Sequence, residues 1–417
     1  MRCRDQCPDR LITWPFGGWR WLSRCCCSLV LYLFLHPQAF SHEQITVRFA
    51  TFNTSLYRDS PGQLKKDLST GSNKQAQRIA EVIQRVQPDV LLINEFDYDE
   101  TGETVESFQR HYLQVSQSNQ PPIQFGHSFI APQNTGIASG LDLNGDGNTT
   151  GAGDAFGFGR FAGQYGMVVF SKLPIAKEKI RTFRTFLWKD MPAARFPLAP
   201  VSRQPFYSAE ARAVLRLPSK SIWDLPIMCG LQTVRLVVAH PTPPVFDGPE
   251  DRNGLRNHDE IRLLADYIDP RRSNYIYDDQ GRRGGLQQDD LFVVAGDMNA
   301  DPFDGDSRNA AIRQLLDHLR VHQGTVPSSR GAVVKSRMDG GANDGQRGDP
   351  AHDTSDFAND LSVGNLRLDY VLASRSLQVA NSGVFWPSPG DDGHAAIAAS
   401  DHRLVWIDLH LEDDASN

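Results

Sequence analysis

The sequence predicts a mixed α+β domain, and three observations carry that reading. Short apolar runs with strand character recur from Thr46 to the end, helical periodicities lie between some of them, and no internal repeat or heptad pattern organises the chain otherwise. At 417 residues, 40% hydrophobic and 22% charged, the chain has the composition of a globular protein with a sizeable core.

The strand candidates, in order, are "TVRFATFN" (46–53), "DVLLINEF" (89–96), "GMVVFS" (166–171), "ARAVLRL" (211–217), "TVRLVVAH" (233–240), "LFVVAGD" (291–297), "LRLDYVLA" (366–373) and "RLVWIDLHL" (403–411). Between the first two, Lys74 to Val86 places Ala76, Ile79, Ala80, Ile83 and Val86 at helical spacing, and Pro88 follows as a stop. Residues 259–268 and 309–319 show the same period. Two long irregular stretches, 131–163 and 323–360, are rich in Gly and Asp, and loops of that length suit the rims of a cleft.

The N-terminus reads as a leader rather than as fold. Arg20 and Arg24 precede the apolar run "CCCSLVLYLFL" (25–35), which is too short to span a bilayer comfortably, and Ala39-Phe40-Ser41 offers a small-residue cleavage site. The expectation is a secretory signal peptide over 1–41, one domain over 42–417, and an extracytoplasmic protein, secreted or periplasmic. Arg24 occupies the place of the small residue that a lipoprotein needs before Cys25, so no stable membrane anchor is expected. The leader holds Cys3, Cys7, Cys25, Cys26 and Cys27, which leaves the mature chain Cys229 and no internal disulfide. It also carries five basic and two acidic residues, so a chain charge of −7 becomes −7 − 3 = −10 once it is removed. That argues against salt-driven adhesion to nucleic acid or anionic membrane, while leaving room for a nuclease with a local metal-bearing cleft.

Chemistry concentrates at strand ends. Asn53 ends the first strand, Glu95 lies in "INEF", His240 follows "LVVA", Asp297 and Asn299 follow "VVAG", Asp369 sits inside "LRLDYVL", and Asp401 and His402 open the last strand. Asp297 and Asn299 favour turns anyway, but residues two apart in extended chain face the same way. A carboxylate near a core is expensive unless it is paired or binds a metal, and six strand ends of this kind in one chain favour an active site.

These segments, in this order, resemble the endonuclease/exonuclease/phosphatase superfamily with its DNase I-like fold. The carriers are Asn53, Glu95 in "INEF", "GQYGMVVFSKLPI", "AHPTPP", "GDMN", "LDYVL" and the terminal "SDH", which span nearly the whole mature chain. The resemblance implies a four-layer α/β/β/α sandwich of two mixed sheets, and metal-dependent hydrolysis of phosphate esters. It implies Glu95 as the main ligand of Mg²⁺ or Mn²⁺, with Asn53 and Asp401 nearby, since such hard cations take oxygen ligands. It implies His402 paired with Asp369, acting as general base or phosphate contact; Asp297 as the rival base; His240 as donor to the leaving oxygen; and Asn299 as donor to a phosphoryl oxygen.

Two further features lie outside those motifs. Arg252 and Arg256, downstream of His240, could clamp a phosphate or belong to a charged loop leading into a helix. "DLNGDGN" (142–148) begins like a calcium loop, with Asp142, Asn144, Asp146 and a turn glycine at 147, but its twelfth position is Gly153 and Asp154 comes one residue late. The expected reaction is hydrolysis of a phosphate-ester substrate, small or lipid-borne, in preference to duplex DNA. A secreted nuclease acting on DNA or RNA is the alternative, and an inactive binding module of the same fold is the third.

Overall fold

Strand β1 (Gln44–Leu56) shows how the layers arise. Its side chains alternate, so Val47 and Phe49 enter one core while Ala50 and Phe52 enter another. The computed structural model describes residues 44–308, 311–357 and 363–412. The expected leader over 1–41 lies outside the described residues, as do the first two positions of the helix expected at 309–319.

Strand β1 pairs antiparallel with β13 (Val405–Glu412) and parallel with β2 (Val90–Phe96). With β3 (His127–Phe129), β4 (Met167–Ser171) and β12 (Gln378–Val384) they form a sheet ordered β12-β13-β1-β2-β4-β3. The second sheet runs β11 (Asp369–Ala373), β8 (Leu291–Asp297), β7 (Gln232–Ala239), β6 (Ile222–Cys229), β5 (Arg181–Thr182), with β7 and β8 parallel. A small ladder joins β9 (Ser355–Asp356) to β10 (Asn365–Leu366).

The two sheets pack face to face. One core mixes Phe49, Leu92, Val169 and Ile407 of the first sheet with Leu225, Leu236, Val293 and Val371 of the second. The alternate residues of each strand face outward to helices. Ala50, Leu91 and Ile93 meet Ile79, Ile83 and Phe108 of α2 (Lys74–Val86) and α3 (Glu103–Phe108), with Leu64 of α1 (Gln63–Leu68). Val237, Phe292, Val294 and Leu372 meet Ala211, Ile261, Leu264 and Leu315 of α4 (Ala209–Val214), α5 (Arg252–Tyr267) and α6 (Arg313–Leu316). The order is helices, sheet, sheet, helices, the four-layer sandwich the sequence implied. Burying one such aliphatic side chain contributes about 1.5–3 kcal/mol.

The helix read over 74–86 forms over those residues: Asn73 accepts from the Ala76 N–H at 3.0 Å as its cap, and Gln87 closes it in the left-handed region. The segment 211–217 does not form the expected strand. Ser208 caps α4 by accepting from the Ala211 N–H at 3.1 Å, and only the tail, Leu215 to Leu217, is extended against Phe186 and Trp188. Strand β6 escaped the reading because Asp224 and Pro226 interrupt its apolar run; Asp224 is fully buried but held by Arg235 and the Tyr267 hydroxyl. The stretch 323–360 is not structureless, since it contains α7 (Arg330–Asp339) and β9.

Gly296, the first residue of "GDMN", sets the mouth of the second sheet. It sits at φ 151°, and a Cβ there would meet the Ala239 carbonyl oxygen at 1.9 Å. Glycine therefore lets the ends of β7 and β8 close on each other, and the next residues on those strands are His240 and Asp297.

Candidate active site

The residues singled out at strand ends meet at this mouth. Register pairs Asp369 with Asp297 across β11 and β8. Asp297 Oδ2 accepts a hydrogen bond from Asn53 Nδ2 at 3.0 Å, lies 3.4 Å from His240 Nε2 and 3.8 Å from His402 Nε2. One carboxylate oxygen thus joins both sheets, Asn53 coming from β1. The other oxygen of Asp297 accepts the Asn299 N–H at 2.9 Å. All of these except Asn299 are buried.

His402 and Asp369 form a tight pair, Nδ1 to Oδ2 at 2.8 Å. Thr354 supports it: its hydroxyl donates to the same Asp369 oxygen at 2.8 Å and accepts from the Leu368 and Asp369 N–H groups. Burial raises the Asp369 carboxyl, against the pull of His402. Burial lowers the His402 imidazole, but Asp369, Asp297 and Asp401 outweigh it and hold the ring well above its ordinary value. His240 goes the other way. Burial first, then Lys220 and His402, push it well below its ordinary value, and its Nδ1 has no partner among the described residues.

Glu95 and Asn299 are held in the left-handed region, at φ 59° and 49°. Such backbone is costly for a Glu and clusters at functional sites. Burial pushes the Glu95 carboxyl up to about 7; His402 and an Asn53 hydrogen bond pull it down, and Asp297 and Asp401 push it further up. Asp401 is exposed and accepts from the Ser55 hydroxyl at 3.0 Å. Asn299 Nδ2 reaches the Pro241 carbonyl at 3.2 Å. Among the described residues, Asp297, Asp369 and His402 are the group of potential ligand side chains whose atoms all lie within 4.8 Å of one another. Asp369 Oδ2 and His402 bond each other while Asp369 Oδ1 has no partner, and beside them Glu95, Asn53 and Asp401 supply oxygen donors of the kind a hard divalent cation takes.

The two arginines do not join this cluster. Arg256 is 9% exposed and donates to the carbonyls of Leu217 at 2.9 Å, Phe156 at 2.5 Å and Arg216 at 2.9 Å, because its place on α5 turns it into the protein. Arg252 is ion-paired with Glu250. Arg256 is thus spent on the protein's own backbone, which corrects the expectation for that residue, while Arg252 is held to Glu250 through Nη1. In the calcium-like loop, Asp142 accepts from Gly145 and Gly147 N–H groups at 2.7 and 2.9 Å, Asn144 from Asp146 at 2.9 Å and Asp146 from Asn148 at 2.8 Å. Asp154 is buried beside it; one oxygen accepts the Leu143 N–H at 3.0 Å and the other has no partner.

Sequence reasoning missed Thr354 and a pair of tyrosines. Tyr57 and Tyr165 pack with centroids 4.6 Å apart and rings tilted by 47°, and both hydroxyls are raised by burial and by Glu95, Tyr165 to about 12. Tyr165 lies just beyond the stretch 131–163, whose exposed Phe158 packs near it at 6.5 Å, so part of that loop does rim the site. Only the loop's length pointed there.

A family model described as the endonuclease/exonuclease/phosphatase family matches residues 50–402. No curated protein matches. Solved structures similar in fold include an endonuclease/exonuclease/phosphatase from Beutenbergia cavernae (18% identity, 88% of this chain and 72% of that one, TM-score 0.43). Others are sphingomyelinase C from Streptomyces griseocarneus (13%, 87% and 99%, 0.41) and TDP2 from Caenorhabditis elegans (14%, 88% and 75%, 0.40). With its strand-end cluster and a family match over most of its length, the chain belongs to the endonuclease/exonuclease/phosphatase family and is a hydrolase acting on ester bonds.

Proposed function

We propose that the protein is an exported, divalent-metal-dependent phosphoesterase that cleaves phosphate mono- or diesters by in-line attack of water. The single observation that carries this reading is Asp297 Oδ2, within 4 Å of Asn53, His240 and His402 at once. Asp297 is the carboxylate suited to take the proton of the attacking water. His402, held charged by Asp369, suits contact with a phosphoryl oxygen. Asn299 orients the group from the other side. Glu95, Asn53 and Asp401 would hold Mg²⁺ or Mn²⁺, a reading supported by the positive φ of Glu95 at the site and by the Asp297 and Asp401 charges that add to the burial raising its carboxyl. When bound, such a cation neutralises phosphate charge and acts as a Lewis acid.

Support for a small or lipid-borne ester over duplex DNA comes from charge. The mature chain carries about −10 and no run of more than two consecutive basic residues, whereas a polymer track needs clustered Lys and Arg. The argument from Arg256 for a single phosphate falls away. Export rests on the leader, and N-terminal sequencing of the secreted form should begin near His42. No helix of the described residues is long and apolar enough to cross a membrane. A separate calcium site at Asp142, Asn144 and Asp146 is the finer part of the cofactor reading, supported by the partnerless oxygen of Asp154.

The deciding experiment is a panel of plasmid DNA, RNA, an aryl phosphodiester and an aryl phosphomonoester, with and without EDTA. Turnover of the small esters that EDTA abolishes is expected. Rapid plasmid nicking with a steep salt dependence, and little turnover of the small esters, would make the protein a nuclease. No turnover of any substrate would leave the binding module.

A further inference from the structure

Lys220 is a buried lysine, 7% exposed, just ahead of β6. Register pairs Ile222 with Ala239, so the chain brings Lys220 opposite the residues that follow β7, His240 and Pro241. Its ammonium makes one long contact, 3.5 Å to the Pro241 carbonyl. Asn299 Nδ2 converges on that same carbonyl at 3.2 Å. Pro241 adjoins His240, whose ring lies 3.4 Å from Asp297. Lys220, Asn299, His240 and Asp297 therefore bound one small volume.

An ammonium carries three donors, and lysine is almost never buried without a partner. Burial lowers this one, while Glu260, Glu95 and Asp297 pull it up. Glu260 is the nearest balancing charge but its oxygens are oriented to the Ser219 N–H at 2.6 Å and the Thr242 N–H at 2.7 Å. With one long contact printed for three donors the ammonium keeps donor capacity, and the charges of Glu95 and Asp297 reach it.

We propose that Lys220 is the cation that grips the phosphoryl group, a role for which Arg256 is not free; the inference rests on the phosphoesterase reading. Lys220 exchanges no proton. The water oxygen bonds to phosphorus, the phosphorus–oxygen bond to the alcohol breaks with its electron pair, and the proton that water loses is balanced by the one the alcohol gains. Lys220 offsets the charge on the non-bridging oxygens throughout, as a point charge rather than a fork.

The test compares the parent, Lys220→Met and Lys220→Arg on an aryl phosphodiester at saturating Mn²⁺, with inorganic phosphate binding by calorimetry, Mn²⁺ binding and melting temperature read alongside. Lys220→Met is expected to lower kcat by on the order of a hundred-fold. It should also weaken phosphate, leave Mn²⁺ affinity unchanged and melt no lower than the parent, since a buried, poorly paired charge is gone. Lys220→Arg should recover part of kcat. Parent-like kcat and phosphate affinity in Lys220→Met overturn the proposal. So does a lower melting temperature with phosphate affinity intact, which would make the lysine structural. A parent that turns over no ester sinks the phosphoesterase reading instead, and the phosphate-binding comparison still decides Lys220.

Discussion

Asp369 and Asp353 are two buried carboxylates on either side of Thr354, and the protein treats them differently. Asp369 has a histidine and a hydroxyl on one oxygen. Each also has an oxygen with no partner, but Asp353, 5% exposed, faces no cation among the described residues, and burial followed by Asp301, Asp304 and Asp349 pushes its carboxyl up to about 8. Asp301 and Asp304 spend their oxygens on backbone N–H groups, so neither offers a donor. A buried carboxylate with a cationic partner keeps its charge and can do chemistry; one among other carboxylates keeps its proton. The first arrangement should matter for turnover, the second for stability.

The largest effect should follow from breaking the partnered carboxylate. Asp369→Asn keeps the Thr354 hydrogen bond and removes the charge that holds His402, and His402→Ala removes the ring. Each is expected to cost roughly a hundred-fold or more in kcat. Melting temperature and metal affinity should stay near those of the parent. Steady-state kinetics beside a metal titration checks this. Near-normal turnover in both variants would remove the pair from the catalytic account.

Glu95 carries the next effect. Glu95→Gln keeps size and strained backbone but loses the charge proposed to hold the cation. The Mg²⁺ or Mn²⁺ needed for half activity should rise on the order of ten-fold or more, with activity partly recovered at high metal. Calorimetry with Mn²⁺ reads the same change without turnover. A parent-like binding isotherm would move the cation elsewhere.

How much of this was legible in the sequence follows the same division. Strands with clear apolar alternation, such as β1, or an unbroken apolar run, such as β8, could be read, as could α2 with its Asn73 cap, because local pattern and tertiary burial agree there. β6 could not: Asp224 and Pro226 look like loop residues until Arg235 and Tyr267 are known to face them. Site residues at strand ends were visible because a polar residue ending an apolar run needs a reason. Thr354, Lys220 and the Tyr57–Tyr165 pair were not, since each gains its role from a neighbour distant in sequence. Arg256 misled for the converse reason. Nearness to His240 along the chain says nothing about which way a helix turns its side chains.

A smaller effect sharpens the other half of the comparison. Asp353 has a folded-state value near 8 against an ordinary 3.8, so the folded chain holds a proton that the unfolded chain releases. The contribution is fully present below about pH 4, is lost as pH rises towards 8, and is constant above that. Asp353→Asn cannot ionise and should remove the loss. Its melting temperature is expected to exceed the parent's at pH 8.5 by on the order of 1 °C per kcal/mol relieved, the conversion for a chain of this size, and to match it near pH 4. Turnover should change little. A variant that melts lower at pH 8.5 would show that the carboxylate has a partner after all.

The smallest effect concerns a third treatment of a buried carboxylate. Asp154 has one oxygen bonded to the Leu143 N–H and one with no partner, beside a loop whose Asp142, Asn144 and Asp146 already fold back on their own N–H groups. Carboxylates gathered without cations leave room for a metal ion. Loop spacing favours calcium, which takes six to eight oxygens in flexible geometry and tolerates a ligand one residue out of step. The loop is exposed and local, so binding should stabilise modestly: at ten times the dissociation constant the gain is about 1.4 kcal/mol. Calcium should therefore raise the parent's melting temperature by a few degrees at most, magnesium should not, and Asp146→Ala should abolish the rise while leaving hydrolysis intact. Asp154→Asn should also abolish it, since the partnerless oxygen is what extends the loop's ligand set. A parent indifferent to calcium would return the loop to a turn held by its own side chains.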